Sequence, residues 1–395
     1  MSLLARVVNR FILVAKRKPS SAITLILTFG TVSFVFYRDI EPNRPVKTIL
    51  VWNAPERAEI VAFVRSPQED PFSTCPVTEC RIDLASRAVQ LPLESYDAIV
   101  INFNDQFKLT EDFPRPYPRP ARQRLIFFTQ EPPPALKEYN FTQYANFFNW
   151  TMTYRMDSDI QLSYGRFRPR TELTTPSVKG RGRRTAVPAA TTVPQMSSNK
   201  TKLVAWMATQ CETDGRRENY IKQLKRYIDV DVYGLCGNLK CARHPVHVSH
   251  PRCYDMLEST YKFYLSFENS ICRDYVTEKF FNIAQRRIVP VVYGGADYAS
   301  MAPVGSFIDT RLYDPYQLAA YLKRLDANDT LYQEFFGWKN DYDVDAGVVS
   351  MAKRGFCDLC RRLHYDETFK SYGDLASLWK HPSHQCQSPH FSDVV

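Results

Sequence analysis

The segment Tyr261–Gly295, YKFYLSFENSICRDYVTEKFFNIAQRRIVPVVYGG, sets an apolar strand, a charged polar turn, an amphipathic stretch and a second apolar strand in immediate succession. Few folds accommodate that order. Tyr261–Phe267 carries aromatic and aliphatic residues at a density that predicts a buried strand. It runs into Glu268-Asn269-Ser270, where a strand of a parallel sheet would reach its carboxyl end. Ligands of open α/β sheets bind outside that edge. Over Asp274–Arg287, Val276, Phe280, Phe281 and Ile283 are spaced for one face of a helix, with Thr277 and Glu278 near its start. Such a helix aims its free N–H groups at the same edge, a place suited to phosphate, and Lys279 adds a positive charge one turn in. Ile288–Tyr293 completes the unit as a strand closed by Gly294-Gly295. Periodicity alone is equally satisfied by an ordinary strand–helix–strand unit whose Glu278 and Lys279 merely solvate a helix face.

The rest of the chain repeats this alternation. Thr48–Asn53, Ala98–Phe103 and Arg124–Gln130 read as buried strands of a first α/β domain over residues 45–165. Residues 166–200 are rich in Pro, Thr, Ser and Arg without apolar periodicity, and read as a basic low-complexity linker or a long surface loop. A second domain over 201–380 restarts with strands at Leu203–Met207, Val230–Tyr233 and Ser306–Asp309. Its helices are expected at Arg216–Ile228, Asp314–Leu325 and Leu331–Phe336. Residues 381–395 are a tail. With 395 residues and 44% hydrophobic content the chain can bury two cores. Strands alternating with helices on both sides of the linker imply two doubly wound sheets facing a cleft.

The N-terminus has a different character. Residues 1–18 hold Arg6, Arg10, Lys16, Arg17 and Lys18 and no acid, and Ser20–Tyr37 follows without a charge. This predicts a cytoplasmic tail over 1–18 and a retained membrane anchor over 19–38, with its positive side inside. A cleaved signal peptide is the rival, but no A-x-A-like site follows the apolar run. The body of the chain is then lumenal, and the sequons at Asn140, Asn149, Asn199 and Asn328 agree with that setting. The net charge is +9, but five of its cations lie in residues 1–18, and Arg166–Lys200 holds eight Lys/Arg against Glu172. Both positive blocks are expected outside the folded domains, which argues against a nucleic-acid surface.

The run Phe267–Phe281, FENSICRDYVTEKFF, resembles the donor-binding motif of the α-1,3-fucosyltransferase family, glycosyltransferase family 10. The resemblance extends more loosely over residues 46–386. It includes FFTQEP at Phe127–Pro132, FNWTMTYRMDSDI at Phe148–Ile160, the Arg217-Glu218-x-Tyr220 helix and the Cys357-x-x-Cys360 pair. The stretch Val232–Leu257 is most similar to the branch that fucosylates the core of N-glycans. The resemblance implies a GT-B arrangement, two Rossmann-like domains facing a cleft. It also implies a type II Golgi membrane enzyme that moves L-fucose from GDP-fucose to N-acetylglucosamine by a single, inverting displacement.

Such a transfer needs a base for the acceptor hydroxyl and positive charge for the departing diphosphate. Glu131, which follows an apolar strand and precedes Pro132-Pro133-Pro134, matches the family's base position, although its context is E-P-P rather than E-S-P. Arg217 and Lys279 are expected to hold the diphosphate, a guanidinium bridging two oxygens and an ammonium adding a point charge. Asn269, Tyr275 and Glu278 match positions that contact the nucleotide sugar, and Tyr154 and Arg155 line the cleft from the first domain; Glu268 has a structural alternative. Asp157-Ser158-Asp159 looks like a D-x-D metal motif, but the resemblance places it in a segment not assigned to metal. No obligatory cofactor is expected, with manganese stimulation left open.

Ten cysteines in a lumenal chain should be largely bridged. Cys357-x-x-Cys360 without a second C-x-x-C favours bridges over a zinc site, and Cys75 and Cys80, similarly spaced, are the expected partners, two bridges that would tie the domains together. The connectivity of Cys211, Cys236, Cys241, Cys253, Cys272 and Cys386 is not legible. His244, His247 and His250 lie in a Pro-containing loop without ligand spacing.

Overall fold

The computed structural model describes residues 23–28, 31–36, 44–53, 57–64, 70–85, 92–104, 113, 118–170, 200–241, 251–380 and 386–387. They fall into two compact units, Met1–Val46 and Lys47–Val395. In the first unit, β1 (Ile23–Thr28) and β2 (Thr31–Phe36) form an antiparallel hairpin, with Ile23 opposite Phe36 and Thr28 opposite Thr31. Within the membrane span expected over 19–38, the described residues 23–28 and 31–36 are strands, and a transmembrane helix is not seen among them. The stretch is dense in Thr, Val, Ile and Phe, whose β-branched and aromatic side chains favour strands. No described helix is long and apolar enough to cross a membrane. The expected tail over 1–18, the sequon Asn199, the His244, His247 and His250 loop and most of the 166–200 linker lie outside the described residues.

The second unit holds two parallel sheets. The first contains β3 (Lys47–Val51), β4 (Cys80–Leu84), β5 (Ala98–Asn102), β6 (Arg124–Thr129), β7 (Trp150–Thr153) and β8 (Ile160–Gln161), in the order β4-β3-β5-β6-β7-β8. The chain leaves it through β9 (Gly165–Pro169). The second contains β10 (Lys202–Met207), β11 (Val230–Tyr233), β12 (Tyr261–Phe267), β13 (Val289–Tyr293) and β14 (Ile308–Asp309), in the order β11-β10-β12-β13-β14. The chain returns through β15 (Tyr342–Ala346), which pairs antiparallel with β9, Val344 opposite Phe167. Every residue of β5, β6, β12 and β13 is buried, which is why these segments read as unbroken apolar runs rather than alternating ones. Two doubly wound sheets, as the alternation of elements implies, are the architecture observed.

The described helices cover the faces of these sheets: α1 (Ala58–Val64), α2 (Arg217–Leu224), α3 (Pro251–Thr260), α4 (Glu278–Ala284), α5 (Tyr298–Met301), α6 (Pro315–Asp326), α7 (Asp329–Glu334), α8 (Val348–Tyr365) and α9 (Leu375–Lys380). Leu318 and Leu322 of α6 join Ile221 and Leu224 of α2 over Val204, Leu265 and Val291. Asp314 starts α6 with a capping box, its carboxylate accepting from the Gln317 N–H while the Gln317 side chain returns to the Asp314 N–H. Two helices assigned by their place in the sequence to the second domain pack instead on the first sheet. Met351, Ala352, Phe356 and Leu359 of α8 meet Ile49, Val100, Ile126 and Phe63, and Trp379 of α9 stacks edge-on against Phe127 at 5.3 Å. Burial partner, not chain order, decides where an amphipathic helix goes. Gly355 lets α8 approach closely, since a Cβ there would lie 2.3 Å from Leu162 Cδ1.

All ten cysteines are paired, as Cys75–Cys357, Cys80–Cys360, Cys211–Cys236, Cys241–Cys253 and Cys272–Cys386. The expected partners of Cys357 and Cys360 are the ones found, but these two bridges do not tie one domain to the other. Because α8 sits on the first sheet, all four sulfurs lie within the first core. The bridge Cys272–Cys386 fastens the C-terminal tail beside β12, where the Gln387 N–H also donates to the Ile271 carbonyl at 2.7 Å.

Candidate functional site

The second sheet's strand order reverses direction between β10 and β12, so its crevice opens at their carboxyl ends. The turn after β12 carries Glu268, Asn269 and Ser270, and the chain then passes through a left-handed Asp274, φ 59°. That conformation ends any helix expected to start at Asp274. α4 begins at Glu278, capped by Thr277, whose hydroxyl accepts from the Lys279 N–H. The anchor of the turn is Glu268, fully buried, whose carboxylate accepts from the Thr277 N–H at 2.8 Å, the Thr277 hydroxyl at 2.9 Å and Lys279 Nζ at 3.0 Å. Thus Glu268 occupies the positive end of α4 that the sequence suggested for a phosphate, and its role is structural. Burial pushes the Glu268 carboxyl up, with Lys279 pulling it back. Burial opposes the charge on Lys279, but Glu268 and Glu278, the latter 3.5 Å away, hold its pKa above the ordinary lysine value.

Arg217, the first residue of α2, reaches the same edge. Its side chain is buried, lies over the Trp206 ring at 5.5 Å, and donates to the Phe267 carbonyl at 2.5 Å and the Gln210 carbonyl at 3.2 Å. Burial lowers its pKa. Gln210 also accepts from the Asn269 side-chain amide at 2.8 Å. Arg217 of α2 and Asn269, Glu278 and Lys279 of the single segment that follows β12 therefore converge on one sheet edge. A pocket of about 280 Å³ opens at the ends of β13 and β14, lined by Tyr220, Tyr293, Tyr313 and Arg311 among others.

The facing edge belongs to the first sheet. Glu131 follows β6, its N–H held by the Thr129 hydroxyl at 3.0 Å, and the 3₁₀ turn Pro133–Leu136 begins after Pro132. The proline run thus fixes the loop as expected. The Glu131 carboxylate is 26% exposed and pairs with Arg57 Nη1 at 3.4 Å.

The two edges meet through the loops at 154–157 and 272–275. The rings of Tyr154 and Tyr275 pack edge-on at 5.0 Å, Asp274 accepts from the Met156 N–H at 3.1 Å, and Arg273 lies 3.5 Å from Asp157. Burial raises the Tyr275 hydroxyl pKa, Tyr164 adds to it, and then the carboxylates of Glu268 and Glu131. Arg155 is placed differently from the expectation. Its guanidinium grips Asp157 through Nε at 2.8 Å and Nη2 at 2.5 Å, donates to the Leu378 carbonyl at 2.6 Å and lies over Trp379. It braces the latch rather than presenting a free charge to a ligand.

The acids of Asp157-Ser158-Asp159 are likewise committed to separate partners. Asp157 holds Arg155 and Arg273, while Asp159 accepts from the Thr151 N–H at 2.8 Å, the Tyr372 hydroxyl at 2.6 Å and Lys370. Cys80, Cys360 and His364 come within 4.8 Å of one another, but the two sulfurs are bonded to each other and offer no thiolate.

Buried polar atoms without a hydrogen-bond partner gather at the facing edges: Gln130 Oε1, Tyr154 Oη, Asn269 Oδ1, Trp206 Nε1 and Arg217 Nε. Other buried atoms of this kind, Arg354 Nη1 and Trp379 Nε1 among them, lie elsewhere in the fold. Gln130, Trp206, Gln210 and Arg57 were not singled out from the sequence. Gln130 and Trp206 read as strand residues, and Arg57 stands in no motif; the adjacency of Gln130 to Glu131 was the one available signal.

Residues 44–165 match the family model "Fucosyltransferase, N-terminal", and residues 197–379 match "Glycosyltransferase family 10 (fucosyltransferase) C-term". Alpha-(1,3)-fucosyltransferase C of Drosophila melanogaster is 38% identical over 347 residues, covering 84% of this chain and 77% of that protein. Glycoprotein 3-alpha-L-fucosyltransferase A of the same organism is 33% identical over 358 residues, 88% of this chain and 63% of that longer protein. Among solved structures, an alpha1,3-fucosyltransferase with GDP-fucose aligns over 84% of this chain and 94% of its own, at 16% identity and a TM-score of 0.48.

Proposed function

The chain belongs to glycosyltransferase family 10, the fucosyltransferases, and from this premise we propose that it transfers L-fucose from GDP-β-L-fucose in α-1,3 linkage to N-acetylglucosamine. The observation that supports the reading is that Glu131 follows β6 of the first sheet, while Arg217 and Lys279 gather at the end of β12 of the second, and the two sheets meet where the Tyr154 and Tyr275 rings pack at 5.0 Å.

In the reaction, Glu131 takes the proton of the acceptor hydroxyl as its oxygen bonds to fucose C1, and the bond from C1 to the phosphate oxygen breaks on the opposite face. The configuration inverts, and GDP leaves with the bonding electron pair. Arg57 steers the Glu131 carboxylate. Lys279 and Arg217 offset the charge growing on the diphosphate in a site walled by buried aromatic rings. Asn269, Glu278 and Tyr275 take the hydroxyls of the nucleotide sugar, and Tyr154 closes the floor. The pocket of Tyr220, Tyr293 and Tyr313 offers aromatic faces to the purine. No metal is assigned a step.

The preferred acceptor is the Asn-linked N-acetylglucosamine of the N-glycan core, supported by the Val232–Leu257 pattern and by the similarity to a glycoprotein 3-alpha-L-fucosyltransferase. Residence in the Golgi membrane with a lumenal catalytic body is supported by the basic N-terminus and by ten paired cysteines, which need an oxidising compartment.

The test is to secrete residues 45–395, which include the compact unit Lys47–Val395, and incubate them with GDP-fucose, EDTA and defined N-glycans. GDP release and a fucose mass on the core residue are expected, at a rate EDTA leaves unchanged. Fucose found on the antennae would move the acceptor to outer N-acetyllactosamine, and no GDP release with any acceptor would end the enzymatic reading.

A further inference from the structure

The sequence placed the basic block starting at Arg166 outside the folded domains, whereas Arg166 and Arg168 lie on β9, inside the fold. They line a groove of about 620 Å³ between the β9 and β15 ribbon and α8. Six cations face it, Arg166, Arg168, Lys353, Arg354, Arg361 and Arg362, against three carboxylates, Asp159, Asp345 and Asp358. Three of the guanidiniums share a single carboxylate: Asp345 lies 3.1 Å from Arg354, 3.2 Å from Arg166 and 3.9 Å from Arg168. Asp358 serves two more, Arg361 at 2.6 Å and Arg362 at 3.2 Å, Arg362 also pairs with Asp366 at 3.2 Å, and Asp159 is already held by Lys370. Lys353 is exposed, and Arg168 Nε is buried without a hydrogen-bond partner.

Three further features point the same way. Ser350 lines the groove from the first turn of α8, an 18-residue helix whose N-terminal end carries partial positive charge. Thr74, Ser158 and Ser163 supply hydroxyls along the walls. The groove is polar and open, unlike the aromatic-walled edge at which Glu131 and Lys279 meet, and shares none of the residues of that edge.

We propose that this groove binds a small ligand with two or more phosphate or sulfate oxyanions. Arginine forks suit such oxygens in pairs, and the unbalanced cations supply the charge. The ligand sits on the strands through which the chain leaves and re-enters the first domain. Phe167 and Val344 of this ribbon pack with Phe280 and Phe281 of α4, so an oxyanion bridging β9, β15 and α8 braces the crossing.

The experiment uses the full chain with saturating GDP, so that diphosphate-type sites at the donor edge are filled. Sodium pyrophosphate and a disulfated disaccharide are titrated by calorimetry at low and high salt, with chloride at matched ionic strength as control. Saturable binding is expected, with at least a tenfold loss of affinity in Lys353→Glu with Arg361→Glu. Both lie outside the donor and acceptor machinery, so this variant should keep the wild-type GDP affinity, and because the Arg361 pair with Asp358 is 47% exposed on the arginine side, its loss should lower the unfolding midpoint only slightly. A preference for pyrophosphate assigns the site to free phosphates, and a preference for the disaccharide assigns it to sulfated sugars. Heat no greater than that of chloride, or equal affinity in the charge-reversed variant, overturns the proposal.

Discussion

Glu131 and Asn149 illustrate how far a single residue can be read. A base contributes about 10²–10⁴-fold to such a reaction, so Glu131→Gln should lower the transfer rate by that range while GDP affinity, measured by calorimetry, stays within twofold. Full activity in this variant would remove Glu131 from the base role. The residue drew notice because it matches the family's base position and stands between an apolar strand and three prolines, yet its partner Arg57 was invisible, since the two are 74 positions apart. Asn149 shows the reverse case. Its sequon resembles those of Asn140 and Asn328, but Asn149 is buried, its Oδ1 accepting from the Leu125 N–H at 2.9 Å and its Nδ2 donating to the Lys370 carbonyl at 2.7 Å. Asn140 and Asn328 are exposed helix caps whose side-chain oxygens, rather than nitrogens, are engaged. In a secretory host, peptide mass mapping should find glycan at Asn140 and Asn328 and none at Asn149. Glycan on Asn149 would contradict the packing described here.

At the scale of elements, the ribbon of β9 and β15 concentrates charge that the sequence could not assign to a partner. Burial opposes ionisation of Asp345, but a hydrogen bond from Ser350 and the charges of Arg354, Arg166 and Arg168 more than offset it, leaving its pKa below the ordinary carboxylate value. A depressed folded-state pKa contributes stability that is present above the unfolded value of about 3.9 and lost as the pH falls through the lower folded value. Asp345→Asn should therefore cost roughly 2 kcal/mol at pH 7, less than the about 3–5 of a fully buried pair because two of the arginines are partly exposed. Urea unfolding as a function of pH checks the sign, since the gap between wild type and variant must close below about pH 4. α4 makes a related point about boundaries. Apolar spacing located its face correctly, but its first turn was set by the left-handed Asp274 and the Thr277 cap, neither of which periodicity detects.

For the whole molecule, the interleaved bridges Cys75–Cys357 and Cys80–Cys360 span 282 and 280 residues. Once either has closed its long loop, the other closes only a ring of about ten residues, so in the chain-entropy picture losing one bridge while the other remains costs about 3 kcal/mol and losing both costs about 8. Urea unfolding of the two single serine-pair variants and the quadruple variant should show that excess over additivity. Strictly additive losses would mean that the bridges do not share one loop. The sequence by itself determined which segments are buried strands, that they alternate with helices, and which short motif forms the polar turn after β12, because apolar density, turn chemistry and motif spacing are local properties. Tertiary structure alone decided that α8 returns to the first sheet, that Arg155 grips Asp157 and the Leu378 carbonyl, that Glu268 fills the start of α4 and that Arg57 pairs with Glu131. Those depend on which distant surfaces bury one another, and contact between distant surfaces leaves no mark on either segment alone.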